Sequence, residues 1–149
     1  MSRKAALLLT LTAALTGCSS TAGGDAACPA PVPAPTEETA LLPDGLSFDQ
    51  IGTVTSVRSD DRHISLQAVS DKHIDEVTVL IQDAVIAAGY RPAGMDNEGF
   101  EAEVFFTAGA YAAGQAVVRR SGCPDRWDIE LVLITTEAIP PQSSPPPAP

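Results

Sequence analysis

Four carboxylates recur at two-residue spacing in the second half of the chain: Glu101 and Glu103, then Asp128 and Glu130. Paired carboxylates are the machinery of glycoside hydrolysis, one protonated as the acid and the other ionised as base or nucleophile. That chemistry needs one raised pKa, hence a pocket, and nothing in the flanking residues predicts one. The four acids alternate with Ala102, Val104, Ile129 and Leu131. This spacing predicts the solvent faces of two half-buried strands. If the last three strands form a meander, Arg119 or Arg120 on the middle strand lies between the acidic ones, and cross-strand pairing accounts for the pattern.

His63 and His73 are the only imidazoles. With Asp60 and Asp61 they offer ligand types for a divalent ion, but one follows a turn and the other opens a helix, so nothing forces them together. Asp96-Asn97-Glu98-Gly99 looks superficially like part of a calcium loop. It lacks the D-x-[DN]-x-[DN]-G order and the closing Glu, and reads as a turn before a strand. No G-x-S-x-G, H-E-x-x-H or G-x-x-x-x-G-K-[ST] occurs. No catalytic residue, metal ligand or cofactor-binding residue is assigned, and the chain is not read as an enzyme.

The informative chemistry lies in the three cysteines. Arg3 and Lys4 precede an apolar run from Ala5 to Leu15, which ends in Leu15-Thr16-Gly17-Cys18. A run of about a dozen residues has the length of a signal h-region and is too short to span a bilayer. Small residues lead straight into a cysteine, and the four-residue box resembles the lipobox of bacterial membrane lipoproteins. The resemblance covers residues 1–18 only. It implies that Cys18 receives a diacylglyceryl group and, once the signal is cut, begins the mature chain at the outer face of the cell membrane. Two or more acyl chains anchor stably where one binds only marginally.

Cys28 and Cys123 then remain as an even pair in an exported, oxidising setting, and a disulfide between them is expected. It would close a loop of roughly 95 residues, worth about 4 kcal/mol in the chain-entropy model. It would also set how far the protein reaches from its anchor. With Cys28 bridged, about nine residues swing freely over at most about 30 Å. With Cys28 free, the segment to residue 40 spans roughly 60–70 Å at the polyproline II rise.

The formal charge is −10, and losing Arg3 and Lys4 with the signal leaves −12. So acidic a chain repels phosphate backbones and anionic headgroups. Nucleic acid is thereby a poor partner, and the covalent lipid is the main membrane attachment.

The supporting elements follow from composition and period. Residues 1–17 are the signal and 18–40 a tether, in which Cys28-Pro-Ala-Pro-Val-Pro-Ala-Pro35 should run as extended polyproline II. A single domain is expected over 41–138 and a disordered Pro-rich tail over 139–149. All seven aromatic residues fall between Phe48 and Trp127, which marks the packed part. Ile51–Arg58 and Ile64–Ala68 read as a strand pair around the polar turn 59–62. Over 70–88, Ile74, Val77, Ile81, Ala84, Val85 and Ala88 make one apolar helix face. Ser70 or Asp71 is the expected cap, Gly89 the left-handed residue after the helix, and Pro92 the stop. Val79 and Ile86 lie off that face, against a loop or as a modest patch for a partner. Residues 91–99 read as loop, 100–106 as a strand, 108–114 as a turn, and 115–120 and 127–133 as two more strands. The fold class is therefore α+β, a small antiparallel sheet in the order β-β-α-β-β-β with one amphipathic helix on one face. The expected function is a lipid-anchored, extracytoplasmic binding or interaction module whose partner is an envelope protein or the cell wall. A surface hydrolase using the carboxylates and a purely structural envelope component are the alternatives.

Overall fold

Alternation of β-branched and polar residues does most of the building. In a computed structural model, which describes residues 28–60, 62–108 and 111–135, two helices and six strands form. They are α1 (Thr36–Thr39), β1 (Thr53–Ser59), β2 (His63–Ser70), α2 (Ile74–Ala87), β3 (Arg91–Asn97), β4 (Glu101–Ala108), β5 (Tyr111–Arg120) and β6 (Trp127–Thr135). The signal 1–17, Cys18 and the tail 139–149 lie outside the described residues.

The sheet order is β1-β2-β6-β5-β4-β3, and every neighbouring pair is antiparallel. An N-terminal hairpin and a C-terminal meander are thus joined along β2 and β6, with Leu66 opposite Leu131 at the seam. The fold is the expected α+β sheet with one long helix packed on it, widened by one strand.

That helix, α2, buries Ile74, Val77, Ile81 and Val85. They meet Leu66, Ala68, Ala102, Val104, Phe106, Ala116, Val118, Ile129, Leu131 and Leu133 from the sheet, with Leu46, Phe48 and Ile51 completing the core. The helix stops in a Schellman arrangement. Gly89 N–H donates to Ile86 O and Tyr90 N–H to Val85 O, both at 2.9 Å, while Gly89 takes φ +86°. A left-handed residue at that position costs glycine nothing, and the buried Tyr90 and Val85 supply the accompanying apolar pair.

Four local expectations change. The helix begins at Ile74 and not at Ser70, because Ser70 is drawn into β2, where its buried hydroxyl donates to Ile51 O at 2.6 Å. His73 takes the cap instead, its Nδ1 accepting from Asp75 N–H at 3.4 Å. Residues 91–97 are a strand and not a loop. No alternation marks Arg91-Pro-Ala-Gly-Met-Asp-Asn97 because this edge strand is exposed throughout, and Pro92, which has no N–H for a ladder, is accommodated at an edge beside a bulge between Pro92 and Gly94. Residues 111–114 belong to β5 and not to a turn. Finally, residues 28–40 do not stand off as spacer but lie along the outer edge of β1, where Ala34 N–H donates to Val54 O at 2.8 Å.

Candidate functional site

The helix and the 46–51 segment cover one face of the sheet, and among the described residues no element covers the other. The registers arrange this open face in transverse rows. Val69, Asp128, Arg119 and Glu101 form one, and Gln67, Glu130, Val117, Glu103 and Asp96 the next. Ser65, Val132, Gln115 and Phe105 make a third. Acids therefore crowd one end of the face, and half-buried apolar side chains occupy its middle. A shallow recess of about 450 Å³ crosses β1, β2, β6 and β5, lined by Thr55, Gln67, Val69, Val117, Arg119 and Glu130 among others.

All four carboxylates named from the sequence reach this face, with Arg119 between Glu101 and Asp128 as the meander requires. Arg119 Nε donates to Glu101 Oε2, and Gln115 Nε2 donates to Glu103 Oε1 at 2.9 Å. The bond to Glu101, followed by that carboxylate's charge, raises the Arg119 guanidinium above its usual range, and Glu130 and Glu103 add to the effect. Arg120 lies on the opposite face, its guanidinium 4.9 Å above the Trp127 ring. The acids thus serve an open, charge-laced surface on which cations are held. They line shallow, open recesses of the sheet face.

The two histidines are not brought together. His63 opens β2 and His73 lies three residues past its far end, and a strand of eight residues is about 23 Å long at the usual rise. His63 Nδ1 contacts Asp60 Oδ1 at 3.2 Å, and His73 Nδ1, the cap acceptor, lies 3.3 Å from Asp75 Oδ2. Asp60 also accepts from the backbone N–H groups of Arg62 (2.9 Å) and His63 (2.8 Å), which hold its carboxyl below the ordinary aspartate value. Among the described residues no three His, Cys, Asp or Glu groups converge as metal ligands.

Asp96 and Asn97 end β3, and Gly99 (φ +82°) sits first in a two-residue hairpin loop, the glycine position of a type II′ turn. Asn97 is engaged on both sides, donating to Asp75 Oδ1 at 2.8 Å and accepting from Gly99 N–H at 2.9 Å. Val79 and Ile86 stay half exposed on α2.

Cys28 and Cys123 are joined, with Cα atoms 5.8 Å apart at a sequence separation of 95. The bond ties the start of the described chain to the β5–β6 turn. Arg126 reinforces it, donating to Pro29 O at 2.7 Å and to Asp71 Oδ1 at 2.9 Å. Glu38 Oε2 then accepts from Val57 N–H at 3.1 Å. No sequence signal marks Ala34 or Glu38 for this work, since their partners lie on a strand edge about twenty residues later.

Neither a family model, nor a curated protein, nor a solved structure matches this chain. The functional reading therefore rests on the molecule's own geometry and on its N-terminal sequence.

Proposed function

We propose that this chain is a lipid-anchored, extracytoplasmic binding module of the cell envelope that engages its partner through the open face of the sheet. The observation that carries the reading is that uncovered face. A two-layer fold has buried one side of a six-stranded sheet and left the other, with Val69, Val117, Val132 and Phe105 among its polar residues, facing solvent. Surfaces that mix apolar centres with charged surrounds are typical of recognition sites. The lipobox-like Leu15-Thr16-Gly17-Cys18 supplies the anchor, and the joined Cys28 fixes the proximal end of the sheet about nine residues beyond it. The partner on this reading is an envelope protein or the cell wall, and the acidity of the chain disfavours nucleic acid.

In-cell crosslinking tests the reading. A photo-crosslinking residue at Glu130 or Gln67 should capture one defined partner, a residue at Asp83 on α2 should not, and Cys18→Ala should abolish capture. Capture from Asp83 but not from Glu130 or Gln67 would move the binding surface to the helical side. Mass spectrometry of the native product showing an unacylated Cys18 would remove the anchor.

A further inference from the structure

We propose that the Cys28–Cys123 disulfide is a redox latch on residues 29–40, holding this strap on the edge of β1 when closed and releasing it when opened. No residue from 28 to 45 is buried, and α1 within the strap contributes nothing to the core. Apart from the disulfide, among the described residues the strap is held by the Arg126–Pro29, Ala34–Val54 and Val57–Glu38 hydrogen bonds and by α1 lying against β1 without burying a residue. Segments with few buried apolar contacts open at low free energy, so the covalent bond is what keeps this one in place. Both cysteines are only partly buried, and Cys123 lies between an exposed Gly122 and an exposed Pro124, so the bond sits at the surface, where a thiolate can approach.

The reductant is a protein or small-molecule dithiol. Its thiolate attacks one sulfur, forming a mixed disulfide and expelling the other cysteine as a thiolate, which takes up a proton. Its second thiol then resolves the mixed disulfide. Two electrons pass to the protein, the reductant becomes a disulfide, and Cys28 and Cys123 end as thiols. Release uncovers Val54 C=O and Val57 N–H on β1. On the anchored reading above, it also lengthens the free tether from about nine to about 22 residues, roughly 60–70 Å at the polyproline II rise.

Amide exchange and chemical shifts of the full-length chain in detergent, before and after dithiothreitol, test the latch. The Ala34 and Val57 amides should exchange at least tenfold faster after reduction, while the shifts of Val118 and Leu131 stay in place. The double variant Cys28→Ser/Cys123→Ser should match the reduced protein. Retained protection at Ala34 and Val57 overturns the proposal. So does collapse of strap and core shifts together, or a disulfide that the dithiol leaves intact in the folded protein. The acyl mass at Cys18, read separately, tests the anchor without bearing on the latch.

Discussion

The ring of Phe106 on β4 covers Gly114 on β5 so closely that a Cβ at Gly114 would meet Phe106 Cε2 at 2.2 Å. Phe106 is buried and stacks edge-on against Tyr90, with centroids 5.5 Å apart, so it has little room to retreat. Gly114→Ala should therefore cost about 1–3 kcal/mol, the usual penalty for overpacking a closed core. Urea denaturation measures it. The double variant Gly114→Ala/Phe106→Leu should lose less than the two single changes added together, because the clash is shared.

Ser70 joins β2 to the 46–51 segment from a buried position, its hydroxyl donating to Ile51 O and accepting from Lys72 N–H at 3.2 Å. Ser70→Ala leaves a buried carbonyl without that donor, and a loss of about 1–3 kcal/mol is expected. Equilibrium unfolding of the variant is the check, and a change below about 0.5 kcal/mol would mean that water replaces the hydroxyl.

Converting Glu101, Glu103, Asp128 and Glu130 to amides should leave the fold intact. The Arg119–Glu101 pair is exposed, and exposed pairs contribute about 0–1 kcal/mol. Circular dichroism melts should move by only a few degrees in either direction, while crosslinking yield from the open face should fall if the charges help to orient the partner. An enzymatic role for these acids predicts instead a folded protein that has lost a measurable activity.

Asp60 gives the β1–β2 turn a contact that weakens in acid. Backbone donors from Arg62 and His63 lower its pKa, the contact with His63 adding to them. A folded value below the unfolded one of about 3.9 means a stabilising contribution that is complete above that pH and is lost as pH falls through the folded value. An NMR titration of the Asp60 carboxyl should show a midpoint below that of a free aspartate, and Asp60→Asn should remove this part of the acid response. A midpoint at or above the free value would mean that the turn does not hold the ionised carboxylate.

Wherever a residue's neighbours in sequence are also its neighbours in space, the chain could be read directly. Ile74, Val77, Ile81 and Val85 announce α2 because a helix repeats every 3.6 residues, and Gly89 announces its end because a left-handed residue must follow there. The alternation at Ala102, Val104, Ile129 and Leu131 announces the acidic face in the same way, since a strand's period is two. An even pair of cysteines behind a stretch that resembles a lipoprotein signal is enough to expect the Cys28–Cys123 bond. What tertiary structure decided has a common cause, namely partners far along the chain. Arg91–Asn97 is a strand only because β4 offers it a backbone ladder, and Gly114 sits in a strand only because Phe106 fills the space its missing side chain leaves. Ala34 and Glu38 rest on β1, so a proline-rich stretch that composition marks as spacer becomes part of the body. Composition and period describe a residue's own segment. Backbone pairing and edge contacts depend on which segment arrives beside it, and only the folded chain determines that.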